Sequence, residues 1–346
     1  CIADALHVTL RGDMAEVCDV SGPSDLEAYD LYLKGRFHWN RRTADDLTES
    51  VTNLKSAIER DPDFALARAA LAEAYVTLAV YGYRPAAEAL SSARSEAEAA
   101  LAVDPAEASA LSALACVRAI HDWTWDAAET AFLGAIEANP QYATAAQWYA
   151  TNLLIPLGRY DEAIVQLERA RAVDPMSPSV RASFGLVEFM RADYETAFGT
   201  FDMLARRDGG FTFAHYYRGL SLLYLDRHRE AIDALRTARD AGGGAEVRAA
   251  LGCAEAAAGR EDDARVTLER LIEGSGATYV SPVRIAQLHA CLSEPEEALD
   301  RLEEAVASRA ADLIWLDVFP PFASLRDHPR YAGIRDKVFG KEQADG

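Results

Sequence analysis

The sequence predicts an all-α protein in which about eight helical hairpins stack into an α-solenoid, a right-handed superhelix with a C-terminal capping helix. Two markers predict this fold, namely regularly spaced Asp-Pro or Asn-Pro breaks and a small residue that recurs every 33 to 35 residues. Such a period is the signature of repeat architectures. Glycine (21) and proline (13) are few among the 346 residues, and half of the chain is hydrophobic, as in an ordered protein.

Breaks between hairpins are marked by four dipeptides: Asp61-Pro62, Asp104-Pro105, Asn139-Pro140 and Asp174-Pro175. The last three prolines are 35 residues apart. An Asp or Asn side chain can cap a helix N-terminus, and Pro fits the first helical position, so each dipeptide is expected to end one helix and begin another. Three glycine-rich breaks replace the proline later in the chain: 208–210, 242–244 and 274–276.

The second helix of each hairpin carries a small residue followed by apolar residues four and seven positions later, which is one helical face. Successive intervals are 35, 34, 34, 33 and 34 residues between these alanines: Ala128, Ala163, Ala197, Ala231, Ala264 and Ala298. Glycines such as Gly185 and Gly219 precede bulkier residues in the first helices. We interpret them as close helix contacts, because none belongs to a GxGxxG or Walker pattern.

This pattern is similar to the tetratricopeptide repeat, a 34-residue helix–turn–helix unit with small residues at helix crossings and a terminating proline. The resemblance covers residues 24–309, with hairpins beginning near residues 24, 63, 106, 141, 176, 210, 244 and 277. The second hairpin is irregular, because Pro62 and Pro105 are 43 residues apart. The extra length is expected in a loop at 80–85, whose aromatic residues either contact a partner or pack against the next hairpin.

Several stretches also resemble the C-terminal repeat region of bacterial multidomain proteins. Those proteins carry an upstream TolB-like segment with a winged-helix regulator, adenylate cyclase or Ser/Thr kinase domain. The matching stretches are 28–36, 38–43, 122–125, 279–282, 319–320 and 325–331. The resemblance implies that 1–23 is the tail of the upstream segment plus a linker, 24–309 the solenoid, and 310–346 the cap and tail. The chain begins at Cys1 and is expected to be a fragment, and any cyclase or kinase activity would lie upstream of it.

Charge and cysteine usage limit the classes of partner and compartment. A formal net charge of -20 argues against direct nucleic-acid binding, which needs clustered Lys and Arg. The five cysteines lack a CxxC pair and are expected to be free thiols: Cys1, Cys18, Cys116, Cys253 and Cys291. Free thiols predict a reducing cytoplasm. The sequence has no apolar run of membrane-spanning length and no basic region followed by an apolar core that could act as a signal peptide.

Catalytic patterns are missing from the sequence. The seven histidines form no HExxH motif and have no recurring carboxylate partner. His121-Asp122 comes nearest to a dyad, but adjacent residues on a helix point in different directions. We therefore predict a non-enzymatic protein with no metal site and no cofactor.

A protein or peptide partner is expected in the concave groove, which is lined by the first helix of each hairpin. Counting from the breaks gives eight candidate positions: Gln147, Thr151, Leu154, Phe189, Phe213, Tyr216, Leu220 and Tyr224. Such an aromatic, weakly polar surface suits an extended peptide or a helix. For Tyr216 and Tyr224, burial under adjacent helices is an equal alternative. The Lys and Asn clamp that captures chaperone C-termini is missing.

Residues 313–321 are apolar and interrupted by proline, and 324–339 form a last amphipathic helix, expected to cap the end hairpin. The capping side chains are predicted to be Trp315, Phe319, Phe322, Tyr331 and Ile334. The leading hypothesis is an interaction scaffold in a bacterial signalling or transcription-regulatory protein, binding a protein, a peptide or its own N-terminal domain. The alternative is a sensor module that regulates an N-terminal cyclase, kinase or winged-helix output through a small-molecule ligand.

Overall fold

The computed structural model describes residues 25–274 and 279–340, which contain helices and no strand. The α-helices are α1 Leu26–Arg41, α2 Ala44–Arg60, α3 Ala65–Val80, α4 Ala86–Val103, α5 Ala108–Val117, α6 Trp125–Ala138, α7 Ala143–Tyr149, α8 Tyr160–Val173, α9 Pro178–Met190, α10 Tyr194–Arg207, α11 Thr212–Tyr224, α12 His228–Asp240, α13 Ala245–Ala257, α14 Glu261–Gly274, α15 Pro282–Cys291, α16 Pro295–Ala307 and α17 Pro329–Phe339. Two 3-10 helices, Ala311–Trp315 and Pro320–Leu325, connect α16 to α17. Helices α1 to α16 pair consecutively into eight hairpins, which confirms the predicted solenoid with its capping helix.

The Asp-Pro and Asn-Pro breaks separate hairpins as predicted, but they do not cap the helix that follows. Asp104 Oδ1 accepts a hydrogen bond from the backbone N–H of Ala106 at 3.0 Å, and Asn139 forms the same contact. A bond to the backbone two residues on makes an Asx turn. Helix α5 begins only at Ala108. The expectation of a helix cap at these positions was wrong, because the side chain closes the turn instead.

The small residues of the first helices lie against large residues of the second helices. A Cβ atom added at Gly219 would lie 2.5 Å from the Leu235 side chain, and one at Gly185 would lie 2.8 Å from the Phe201 ring. Leu235 and Phe201 have no exposed surface. These glycines therefore serve close helix packing, as the sequence predicted.

Two first helices end in a π-helical turn. Helix α5 continues into Arg118–Asp122 and helix α7 into Ala150–Leu154. A π turn takes up one extra residue in a helix. Ala128 and Ala163 are 35 residues apart, whereas three of the four later intervals are 34 residues. The π turn that follows α7 lies within this longer interval and accounts for the extra residue.

The extra length of the second hairpin is shared between its helices and its loop. Helix α3 has 16 residues and α4 has 18, against 13 in α9 and 14 in α10. In the loop, the Tyr83 hydroxyl donates to the carbonyl of Arg42 at 3.3 Å. The loop thus packs against the first hairpin, whereas a contact with the next hairpin or with a partner was expected.

A disulfide joins Cys253 of α13 to Cys291 at the end of α15, with the Cα atoms 5.3 Å apart. Stacking brings these positions together because they are about one repeat period apart in sequence. Cys116 is buried and free, and Cys1 and Cys18 lie outside the described residues. The prediction that Cys253 and Cys291 are free thiols was wrong. The thiol argument for a reducing compartment therefore no longer holds.

Candidate functional site

The first helices of the hairpins line the inner face of the solenoid, and hairpins far apart in sequence meet there. The rings of Trp39 on α1 and Trp148 on α7 have centroids 6.2 Å apart. The Tyr142 hydroxyl, just before α7, donates to the carboxylate of Glu73 on α3. The first and second hairpins are therefore each in contact with the fourth hairpin.

Residues 309–339, called here the C-terminal segment, run along this inner face. The 3-10 helix Ala311–Trp315 packs against α3 and against the π turn that follows α5. The second 3-10 helix, Pro320–Leu325, packs against α15, and α17 packs against α16. The segment therefore does more than cap the last hairpin, because it also contacts the inner face of the second and third hairpins.

An ion pair anchors the C-terminal segment to α15. Arg284 Nε lies 3.0 Å from Asp312 Oδ2, and the Ser281 hydroxyl donates to Asp312 Oδ1 at 2.7 Å. Only 17% of the Arg284 side chain is exposed. Burial lowers the pKa of Arg284, but the Asp312 carboxylate outweighs burial and raises it. Nearby, burial raises the pKa of Tyr216 to about 12.

The two ends of the C-terminal segment are tied to the third hairpin. The Arg309 guanidinium donates to the carbonyl of His121 at 2.9 Å and lies 3.9 Å from the ring centroid of Trp123. The Trp125 Nε1–H donates to the carbonyl of Val338 at 3.0 Å, and its ring stacks on Phe339 at 5.4 Å between centroids. These contacts join the C-terminal end of the array to its N-terminal half.

The eight predicted groove residues all lie on first helices or their extensions, but the structure buries half of them. Leu154, Phe189 and Leu220 have no exposed surface, and Tyr216 is 5% exposed. Gln147, Thr151, Phe213 and Tyr224 are half-buried. The Phe189 ring packs edge-to-face on Tyr224, with centroids 5.8 Å apart. Tyr216 is thus buried, which was one of the two interpretations of the sequence, whereas Tyr224 keeps part of its surface exposed.

Of the half-buried polar candidates, Gln147 bridges the fourth and fifth hairpins, and Thr151 bonds within the fourth hairpin. Gln147 Nε2 donates to the Ser183 hydroxyl at 3.1 Å, and Gln147 Oε1 accepts from the Ser179 hydroxyl at 3.4 Å. The Thr151 hydroxyl donates to the carbonyl of Gln147. These groups already have partners, so a peptide would compete with existing hydrogen bonds here.

A buried polar cluster lies on the N-terminal inner face and was not predicted from the sequence. Glu73 is fully buried and accepts hydrogen bonds from Arg36 and Tyr142. Burial raises the pKa of Glu73, against the opposing effect of the Arg36 charge. Arg42 lies 3.5 Å from the ring centroid of Trp39 and donates to the Thr77 hydroxyl at 3.0 Å. The signal was present in the sequence, since Glu73 is a lone acidic residue in an apolar helix.

The His121-Asp122 pair does not form a dyad in the structure. Asp122 accepts two hydrogen bonds from Arg94, at 2.7 and 2.8 Å, while burial lowers the pKa of His121. In the part of the chain that the structure describes, no cluster of three His, Cys, Asp or Glu side chains could hold a metal ion. Across the same ranges, no helix has both the length and the apolar character needed to cross a membrane.

Comparisons with known proteins agree with this architecture. Residues 152–210 and 216–279 match a model described as tetratricopeptide repeat. A tetratricopeptide repeat protein from Parabacteroides merdae superposes with a TM-score of 0.51 and 17% identity, covering 78% of this chain and all of that chain. A chain in the APC/C hetero-tetramer Cut9-Hcn1 superposes with a TM-score of 0.60 and 16% identity, covering 86% of this chain and 57% of that chain. At these identities the likeness shows the fold alone.

Among curated proteins, the transcriptional regulator HilA of Salmonella typhimurium and of Salmonella typhi is similar to this chain. Each is 24% identical over 195 residues, covering 56% of this chain and 34% of the relative. The matched region is thus about a third of the relatives' length.

Proposed function

Because the chain is a tetratricopeptide repeat protein, we propose that it is a non-catalytic interaction scaffold whose inner groove binds an extended segment of a protein partner. The observation that carries the proposal is the C-terminal segment, which lies against the inner face of α3 and α15. The groove therefore accommodates short 3-10 helical turns in addition to the packed α-helices. A partner would enter by displacing this segment.

The C-terminal segment also indicates the chemistry of that partner. Its apolar side chains Leu313, Phe319 and Phe322 are buried, and Asp312 supplies the carboxylate that faces Arg284. A buried anchor set with one charged contact is the usual pattern of peptide recognition. We therefore expect a peptide with aliphatic or aromatic anchors and one acidic residue.

In this proposal, the predicted groove residues have different roles that follow from how exposed each side chain is. Phe213 and Tyr224, which are half-buried, would contact a bound partner directly. Phe189 and Leu220, with no exposed surface, would support those side chains from beneath. Tyr216 is close enough to Asp312 for that carboxylate to affect its pKa, so it would flank the acidic anchor.

Similarity to a transcriptional regulator supports a place in a bacterial transcription-regulatory or signalling protein. The formal net charge of -20 favours protein contacts of the repeat array over direct contacts with nucleic acid. The partner would be another protein or an upstream domain of the same polypeptide. A cytoplasmic location stays a prediction, without support from the cysteines.

A second candidate function is the sensor module, and one feature favours it. Among the described residues, no carboxylate lies within ion-pairing distance of the Arg42 guanidinium, which stacks on Trp39. Burial lowers the pKa of Arg42 more than the nearby Tyr81 and Glu73 raise it, so its charge is compensated only in part. A bound small anion would supply the negative charge that Arg42 lacks.

Calorimetry with inorganic phosphate tests this second candidate function. The native chain should bind phosphate, and Arg42→Met should abolish the binding. No heat of binding with the native chain would refute the sensor proposal.

Peptide binding can be tested with a fluorescein-labelled peptide of residues 309–328, added to the full chain. The double variant Asp312→Ala, Phe319→Ala weakens the resident segment but keeps Arg284. Its affinity for the peptide should exceed that of the native chain by about tenfold or more, because an intramolecular competitor has been weakened. Fluorescence anisotropy measures this difference.

Two controls make the outcome decisive. Asp327→Ala removes an exposed carboxylate from the same segment and should bind the peptide no better than the native chain does. A peptide that carries both alanines should bind neither protein. If the double variant keeps its helical circular dichroism and does not bind the native peptide, the groove proposal is wrong. Should the double variant lose its fold, Asp312→Asn alone provides the same comparison.

A further inference from the structure

Helix α1 carries an apolar stripe that the described residues leave uncovered. The exposed fractions are 81% for Leu26, 39% for Tyr29, 48% for Leu33 and 59% for Phe37. Their spacing places all four on one face of the helix. Among the described residues, no other helix carries more than two exposed large apolar side chains. The stripe is therefore a contiguous patch, and such a patch marks a docking surface.

The stripe lies at the end of the array as far as the structure describes it. Helix α3 packs against α2, and α11 packs against α10, so a first helix lies against the second helix of the preceding hairpin. Among the described residues, no hairpin precedes α1. None of the eight groove candidates lies on α1. The stripe is therefore a surface separate from the groove.

Charged side chains follow one edge of the stripe, and their signs divide α1 into two halves. Glu27 and Asp30 lie in the first half, and Lys34 and Arg41 lie in the second. Glu27 and Arg41 pair with charges of α2. Asp30 and Lys34 pair only with each other within α1, with Nζ 2.7 Å from Oδ2, and both side chains are more than half exposed. One acidic and one basic group are therefore free to make a second contact beside the stripe.

We propose that a second copy of this chain covers the stripe, with the two α1 helices antiparallel about a two-fold axis. In this arrangement Leu26 lies beside Phe37 of the second copy, and Tyr29 lies beside its Leu33. Both copies use the same patch, so the interface closes at a dimer. The apolar side chains of both stripes then leave water together, which is the main driving force of such an association.

The order of the charges supports this occupant and this orientation. In the antiparallel register, Asp30 lies beside Lys34 of the second copy, and Lys34 lies beside its Asp30. A parallel pair would instead place each of these charges beside its own kind. Opposite charges across an interface fix its register, and like charges disfavour the wrong arrangement. The surface of α1 is thus complementary to itself.

The size of the surface predicts a weak dimer. The 16 residues of α1 span about 24 Å, and only one face of the helix contributes. One helix pair of this length buries less than the roughly 1,600 Å² of a standard protein interface. We therefore expect a Kd on the order of 10 μM.

Sedimentation velocity of the full chain, measured from about 1 to about 200 μM, tests the proposal. The native chain should change from monomer to dimer across this range. The variant Leu33→Asp, Phe37→Asp should remain monomeric throughout. The matched control Leu133→Asp, Met203→Asp changes two side chains that are 46% and 49% exposed on other helices, and should dimerise as the native chain does.

Charge reversal tests the antiparallel register. Lys34→Asp places a carboxylate beside Asp30 of the second copy and should weaken the dimer by about tenfold. The double variant Asp30→Lys, Lys34→Asp restores opposite charges across the two-fold axis and should return to the native affinity. An unchanged affinity of Lys34→Asp would reject the antiparallel arrangement, because like charges already face each other in a parallel pair.

Circular dichroism confirms that each variant keeps its helices. A native chain that stays monomeric at the highest concentration would overturn the proposal. A dimer that survives Leu33→Asp, Phe37→Asp would also overturn it, since another surface would then join the copies. Dissociation of the matched control would do the same, because any added charge would then have that effect. Peptide binding in the groove is measured separately, so neither proposal decides the other.

Discussion

The carboxylate of Glu73 is fully buried, yet it has donors on two sides. Arg36 approaches from α1, and the Tyr142 hydroxyl from the start of the fourth hairpin. Three hairpins thus meet at one side chain. An ion pair in this position costs desolvation energy, so its main effect is to specify which hairpins meet.

Removing only one charge of this pair should therefore lower the stability of the folded chain strongly. Glu73→Ala leaves Arg36 without its partner, and we expect the free energy of unfolding to fall by about 3–5 kcal/mol. The double variant Arg36→Leu, Glu73→Leu should lose clearly less, because no unpaired charge remains. Urea denaturation followed by circular dichroism measures both. Equal losses in the single and double variants would contradict this account.

The roles of single residues were predicted correctly where they depend on sequence neighbours in the same repeat. Gly185 and Gly219 were assigned to helix crossings, and the structure places them against Phe201 and Leu235. Asp104 was assigned to a helix cap and instead closes a turn. The helix begins a few residues after the predicted cap, and the chemistry of the dipeptide alone does not determine where a helix begins.

Among the elements, α13 and α15 have a covalent connection in addition to packing. The Cys253–Cys291 bond closes a loop of 38 residues. In the chain-entropy model, such a loop contributes up to about 4 kcal/mol by restricting the unfolded chain. The two C-terminal hairpins, which hold Arg284 and its ion pair, are therefore linked as one unit.

Reduction should weaken this unit. We expect dithiothreitol to lower the Tm of the native chain, and Cys291→Ser to have a similarly low Tm that no longer responds to the reductant. Cys116 provides the internal control, because burial raises the pKa of its thiol and should keep it unreactive towards iodoacetamide in the folded state. An unchanged Tm on reduction would show that the bond contributes nothing to stability.

For the whole molecule, the decisive feature is that the array folds back on itself. Trp125 in the third hairpin bonds to Val338 near the C-terminal end, and Arg309 bonds to His121. Tyr216 and Tyr217 are buried, and Tyr279 is half-buried. Burial raises the pKa of Tyr279 and Tyr216 to about 12 and also raises that of Tyr217.

This enclosure predicts an alkaline limit to stability. A tyrosine whose pKa is higher in the folded chain than its ordinary value of 10.0 stabilises the fold fully below pH 10. That contribution is lost as the pH rises from about 10 towards 12. Phenolate absorbance should show part of the 14 tyrosines titrating only as circular dichroism is lost. Titration of all of them near pH 10 with the fold intact would contradict an enclosed inner face.

The sequence by itself determined the number and order of the hairpins, their approximate boundaries and their small-to-large packing. Each of these depends on residues a few positions apart or one repeat apart, and periodicity reports such relations directly. The eight groove candidates were placed on first helices or their extensions for the same reason. The exposure of these eight side chains could not be derived, because the repeat period does not determine which element packs against a given helix face.

Only the tertiary structure decided what fills the groove and which cysteines pair. The Arg284–Asp312 contact, the Trp125–Phe339 stack and the position of the C-terminal segment depend on how strongly successive hairpins rotate. A small rotation accumulates over eight repeats and brings distant faces together. It arises from the summed packing of many side chains, so no single motif encodes it.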